Sequence, residues 1–353
     1  MGVSRRLLHL PAAIAAVLFL ATGAHAQTAW WFDQIYSNAD GSIQFLVVSD
    51  KTGTSNNQDA LSGIQLQSIH NSAEHAHDPG FVSSFVLPNN LPSSQTAGKQ
   101  FLIATQSFAY LNIITPDYVI ADQTTGQSDQ FIPQINGYLA LIKGQSVIDT
   151  AGGYTLPTDG VTALSRQNGP QLNRATNFAG QSVSVPLTPP AGAIGTAVEY
   201  YHAEWDYYFE TSFPDEQAIL DGGAFGGVWK RTGQTFKVWT QGSATTPAAC
   251  RFFSTSFAPK SSHFYTPFWG ECASVKTSPN WQFEAVAFYL GLADAGGNCG
   301  GGTAPLYRAY NNGMGGAPNH RYTTSLAVLD QMIAAGWVFE GNGNTKVFAC
   351  VPA

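Results

Sequence analysis

The sequence predicts a mainly β protein: an N-terminal immunoglobulin-like β-sandwich followed by a C-terminal pseudo-threefold, β-rich repeat domain, trefoil-like or propeller-like, with short helices. Three observations predict it. Short strand-like runs separated by turn signals fill the first half. One aromatic phrase recurs three times in the second half. Only 11% of the 353 residues are charged while 36 are Gly, a composition that suits secreted β-proteins, whose strands favour aromatic and β-branched residues and whose turns use Gly and Asn.

The chain opens with Arg5 and Arg6, an apolar run over residues 7–20, and Ala24-His25-Ala26 before Gln27. This reads as a secretory signal peptide, residues 1–26, with an A-x-A cleavage site. The run is shorter than the roughly 18 to 20 residues a spanning helix needs and is broken by His9 and Pro11, so no membrane span is expected after cleavage. The expected location is secreted or periplasmic. With 16 basic against 23 acidic residues the net charge is −7, which argues against nucleic acid or an anionic membrane as a partner, since both need clustered Lys and Arg.

The first unit is expected over residues 27–184. Strands are expected over 43–48, 64–69, 81–87, 100–104 and 117–120, separated by Ala39-Asp40-Gly41, Leu61-Ser62-Gly63, Pro88-Asn89-Asn90 and Thr115-Pro116-Asp117. Such spacing suggests an antiparallel sandwich. A helical turn is expected over 105–111, with Thr105 as its cap. The run Ile35-Tyr36-Ser37-Asn38-Ala39-Asp40-Gly41-Ser42-Ile43-Gln44-Phe45, with Leu61-Ser62-Gly63 and Leu102-Ile103-Ala104-Thr105 downstream, resembles bacterial lamin-tail-like domains over most of residues 28–125. The resemblance implies an immunoglobulin-like sandwich of secreted and surface proteins. Consecutive prolines in Pro186-Leu187-Thr188-Pro189-Pro190 mark an extended connector, placed at 185–195.

The repeat domain is expected over 196–353. Its openings are Val198-Glu199-Tyr200-Tyr201-His202, Cys250-Arg251-Phe252-Phe253-Ser254 and Tyr307-Arg308-Ala309-Tyr310-Asn311; its middles are Tyr208-Phe209-Glu210-Thr211, His263-Phe264-Tyr265-Thr266 and His320-Arg321-Tyr322-Thr323. Each copy closes on a strand led by Trp229, Trp281 or Trp337. Thr211 and Thr266 stand 55 positions apart, and Thr266 and Thr323 stand 57. Each copy therefore reads as strand, strand, short helix, strand. The third helix is the clearest, with Ser325 as cap and Gly336 as its end. In the first, Pro214, Asp215 and Glu216 read as a first turn, and the second, with Pro267, Gly270 and Cys272, is less regular. Three such units can close around an axis or stack openly. The His263 and His320 phrases, with the Trp-led strands, resemble the bacterial domain of unknown function DUF5648 over about residues 196–352. That resemblance implies a secreted module attached to other extracellular domains and names no reaction. The first copy departs from it, with Tyr208 where the others have His.

Four cysteines, Cys250, Cys272, Cys299 and Cys350, suggest two disulfides in an oxidising compartment. Of the three connectivities, Cys250 with Cys272 and Cys299 with Cys350 would each staple one repeat. A four-cysteine zinc site is the rival, without C-x-x-C spacing to support it.

Candidates for chemistry are few. His263 with Glu284 and His320 with Glu340 could act as proton-transfer pairs, or could fasten their repeats. His70, His75 and His77, beside Glu74 and Asp78, could hold zinc or copper from a loop, or stand in a solvated turn. Trp205, Tyr207, Tyr265 and Tyr322 are expected to face a ligand, because rings on strands can stack on sugars or anchor a protein. No G-x-S-x-G, H-E-x-x-H or phosphate-loop motif occurs, and no cofactor is expected. The function expected is a secreted, noncatalytic binding or adhesion protein recognising a glycan or protein surface, with a hydrolase using the His/Glu pairs as the alternative. Because the shared elements of the copies are architectural, function is expected where the copies differ, in their turns and exposed rings.

Overall fold

The computed structural model describes residues 29–70, 82–121 and 130–353. Residues 1–26, His75 and His77 lie outside them. The first half contains β1 (Trp30–Ser37), β2 (Gln44–Asp50), β3 (Gln65–Ile69), β4 (Val82–Val86), β5 (Gln100–Thr105), the single turn α1 (Gln106–Ala109), β6 (Tyr118–Ile120), β7 (Gly137–Lys143), β8 (Ser146–Tyr154), β9 (Thr162–Ser165), β10 (Gly169–Leu172), and the hairpin strands β11 (Ala175–Thr176) and β12 (Ser182–Val183). One sheet runs β10-β9-β1-β2-β5-β6 and a second runs β4-β3-β7-β8. Thr105 caps α1 by accepting from Phe108 N at 3.4 Å.

Every residue of β2 is buried, because its sheet is covered on both faces. Leu46 and Val48 of β2, with Phe101 and Ile103 of β5, pack against Leu66, Leu139 and Leu141 of the second sheet. The alternate residues Phe45, Val47, Leu102 and Ala104 share a core with Ala244 and Tyr289 of the other half. Asn38 Nδ2 donates to Ala244 O at 3.0 Å and Tyr289 Oη to Tyr110 O at 2.7 Å. The two halves thus meet through a common core beside the Pro-rich segment.

The second half contains β13 (Ile194–His202), β14 (Tyr207–Thr211), α2 (Pro214–Asp221), β15 (Trp229–Trp239), β16 (Ala248–Ser254), β17 (Ser262–Thr266), α3 (Trp269–Lys276), β18 (Gln282–Tyr289), β19 (Thr303–Tyr310), β20 (His320–Thr323), α4 (Leu326–Ala334), β21 (Val338–Phe339) and β22 (Ala349–Pro352). The repeat order of two strands, helix and strand is therefore real in all three copies. Their registers match: Val198 faces Thr211, Cys250 faces Thr266 and Tyr307 faces Thr323. The recurring Thr has a mechanical reason. Its hydroxyl accepts from the N–H two residues on, from Phe213, Phe268 and Ser325 at 3.0, 3.1 and 3.1 Å, and so turns each strand toward its helix. Ser325 caps α4, whereas α2 begins at Pro214 without a side-chain cap. The second helix is as long as the first and is tied down by the Cys250–Cys272 disulfide; Cys299 is bonded to Cys350.

The strands run β14-β13-β15-β18-β16-β17 in one sheet and β20-β19-β21 in another, with β22 pairing β19. They form no closed barrel among the described residues. The middle strands β14, β17 and β20 nevertheless converge at Glu210, Tyr265 and Tyr322, which occupy the same position before the recurring Thr. Tyr265 Oη donates to Glu210 O, Tyr322 Oη to Tyr265 O at 2.8 Å, and Tyr322 N to Glu210 Oε1 at 3.1 Å. Burial first, and the Glu199 charge second, push the Glu210 carboxyl well above the usual carboxylate range. The fold thus favours its protonated form. Its contribution is complete below the ordinary Glu value of about 4.3 and is lost as pH rises through the folded value. Glu210→Gln is expected to flatten the alkaline side of the stability profile, measured by urea unfolding at pH 6 and pH 9; equal slopes for variant and parent would contradict this.

Candidate functional site

Adjacent repeats are locked by one recurring ion cluster. In the second repeat, Arg251 of β16 donates to both oxygens of Glu216, from α2 of the first repeat, at 2.8 and 2.7 Å. Its Nε lies 2.9 Å from Glu284 of β18, and His263 Nε2 lies 3.4 Å from the same Glu284 oxygen. In the third, Arg308 receives Glu271 from α3 of the second repeat at 3.0 and 3.2 Å, with Glu340 2.9 Å from its Nε and His320 Nε2 at 3.2 Å from that Glu340 oxygen. The first repeat has Glu199 where the others have Arg, and α4 has Val328 where α2 and α3 have Glu. That joint closes with reversed sign: Arg321 of the third repeat donates to Glu199 at 2.7 and 2.9 Å.

Burial lowers both His263 and His320 below the ordinary imidazole value, and the neighbouring Glu recovers only part of the shift. Glu284 and Glu340 lie below the usual carboxylate range: burial pushes them up, but the His hydrogen bond and the Arg charge outweigh it. Each carboxylate is therefore held ionised against a guanidinium. A Glu clamped this way is a poor proton donor, and the arrangement fastens repeats in both copies. Glu216, read from sequence as a helix-start residue, proves to be half of a joint.

The Arg251 joint opens onto a cavity. A cleft of about 560 Å³ lies over the Arg251 cluster. Its walls come from both repeats, with the recurring Trp229 and Phe209 joined by residues on two connecting segments of the first. The connection from helix to Trp-led strand covers residues 222–228 in the first copy, 277–280 in the second and 335–336 in the third. This longest connection carries Phe225 and Val228, and the β13–β14 turn carries Trp205. Trp205 stacks on His202 with centroids 4.0 Å apart, and Trp229 meets both edge-on. Phe225 is 73% exposed and sits at φ 54°, ψ 35°, inside a short 3₁₀ segment. A bulky side chain held in the left-handed region costs about 1–3 kcal/mol, and such strain concentrates at ligand clamps.

The other sequence candidates fall elsewhere. Trp205 lines the cleft, but Tyr207, Tyr265 and Tyr322 are 1%, 1% and 3% exposed. The expectation that these three face a ligand is corrected: their hydroxyls find backbone carbonyl partners inside, at Ala317, Glu210 and Tyr265, and a ring so satisfied belongs in the core. His70 is buried at the end of β3. Among the described residues no three His, Cys, Asp or Glu are grouped to hold a metal, and no helix is long and apolar enough to cross a membrane. Arg251 and Arg308 escaped the sequence reading, although an Arg at one position of two aromatic strands was a visible signal.

Residues 200–346, within the repeat half, match the family model described as Domain of unknown function (DUF5648). No curated protein and no solved structure matches the chain.

Proposed function

We propose that this chain, with DUF5648 as its C-terminal half, is a secreted, noncatalytic binding protein that holds a glycan or protein surface in the cleft between its first and second repeats. The observation that carries the reading is that Trp205 and Phe225, on connecting segments of the first repeat, line a cleft over the Arg251 joint. The largely apolar cavity with a few convergent polar groups is the form binding sites take. Two disulfides accord with an oxidising location, as does the leader-like N-terminus. The N-terminal sandwich, read as lamin-tail-like from its strand pattern, would present the cleft.

A glycan array and an extracellular-protein panel probed with the mature chain test this. Phe225→Gly removes the exposed ring and suits a positive φ, so the fold should be kept while capture falls about tenfold or more, in line with loss of a buried aromatic anchor. The variant His320→Ala, at the joint away from the cleft, should lower stability and leave capture unchanged. A hydrolytic activity lost in that folded histidine variant would sink the binding reading in favour of a hydrolase.

A further inference from the structure

Resting on the cleft reading, we propose that the ligand group taken by this cleft is an organic cation of the quaternary ammonium class, held against aromatic rings with Glu284 as counter-charge. Charge bookkeeping at the floor leads there. The lining contains one guanidinium, Arg251, and two carboxylates, Glu216 and Glu284. Glu216 grips Arg251 at two points, at 2.8 and 2.7 Å, and the two charges cancel. Glu284, 2.9 Å from Arg251 Nε, is a second carboxylate on that one guanidinium, so the group carries one net negative charge, with the Glu284 side chain 27% accessible. Burial keeps His263 and His202 below the ordinary imidazole value, so neither supplies a compensating positive charge at neutral pH.

The walls above that anion are rings. Trp205 and Phe225, on connecting segments of the first repeat, and Trp229, at the head of β15, line the same cleft, and a cation over such faces gains from the ring quadrupole, most of all over Trp. The same domain already uses this contact: Arg321 lies 4.1 Å from the Tyr208 centroid and Arg308 lies 4.2 Å from that of Phe348. A primary ammonium would need acceptors for three N–H donors, and the walls are apolar. A quaternary head has no donors to satisfy, so apolar walls with one displaced carboxylate suit it. An anionic ligand would meet Glu284 directly and is disfavoured.

Calorimetric titration of the mature chain with choline, with its uncharged isostere 3,3-dimethyl-1-butanol, and with N-acetyl-lysine amide separates the outcomes. Choline is expected to bind at least tenfold more tightly than either. Glu284→Gln should remove about tenfold of that affinity and leave the isostere unchanged, with circular dichroism verifying the fold. Phe225→Gly, which removes no member of the ion cluster, should weaken choline in a protein whose joints are intact. Equal affinity for choline and the isostere overturns the cation assignment while leaving an apolar binding cleft. Tighter binding of the lysine derivative overturns it in favour of a basic protein partner. Heat from none of the three overturns the assignment too, and the array with Phe225→Gly then judges the cleft reading by itself.

Discussion

Arg308→Ala is expected to destabilise the protein by about 3–5 kcal/mol, the cost of leaving buried partners of a charge uncompensated. The side chain is buried and touches three elements of the repeat domain at once. Its fork meets Glu271 of α3, its Nε sits 2.9 Å from Glu340, and Nη1 donates to Tyr265 O at 3.3 Å. Removing it leaves two carboxylates facing one another beside the central tyrosines. In the parent, the Arg308 charge helps to hold the Glu340 carboxyl below the usual range, so the stability this supplies is present above that range and is lost as pH falls through the lowered folded value; the variant forfeits it. Arg231→Ala is the control, since its pair with Asp221 is exposed on both sides and exposed pairs contribute little. Urea unfolding at pH 7 makes the comparison. Should the two variants lose equally little, the joints are ornaments and the repeats are held by apolar packing alone.

Loss of the Cys299–Cys350 bond is the second large effect expected. The bond closes a chain segment of 51 residues, for which the loop-entropy relation gives about 4 kcal/mol; the 22-residue separation of Cys250 and Cys272 gives about 3 kcal/mol. The longer loop also anchors β22, which pairs Thr303–Leu306 of β19 with Ala349–Pro352. Cys299→Ser with Cys350→Ser should therefore cost more than Cys250→Ser with Cys272→Ser, and should raise amide exchange in β22 first. Denaturant midpoints for the two double variants decide it, and the reverse order would mean that native packing around Cys272 outweighs chain entropy.

The repeat architecture was legible because three copies check one another. An aromatic strand, a Thr and a Trp-led strand recur, and each has a structural counterpart in register. In the first half β2 to β6 were legible from their apolar runs and flanking turns. Strands β1 and β7 to β10 were not. The β8 segment contains Gly152 and Gly153 and looks like a loop; the ring of Tyr138 lies over Gly152, where an added Cβ would come within 2.7 Å of it, and takes the place of the missing side chain. The tyrosines misled because ring density says nothing of which hydroxyls find carbonyls inside. The joints were hidden for a different reason. Arg251 meets Glu216 across 35 residues, and no pattern within one copy reveals which neighbour it docks upon. The cleft was half legible: the expectation that function sits where the copies differ points to the loops that form it, but not to the charge beneath them.

The reversed Glu199–Arg321 joint gives the ring of repeats a beginning. Two contacts are made by an Arg strand receiving an acidic helix, so a third of the same kind would let any copy follow any other. With Glu199 in that place, the acidic α2 of a second molecule docking on the first repeat would set Glu216 against Glu199, carboxylate to carboxylate. Arg321 of the third repeat is the residue that fits there. The order of the copies is thus written in the polarity of one contact, which discourages exchange of repeats between neighbouring chains during folding and keeps the cleft of Trp205 and Phe225 at the joint of the first and second copies.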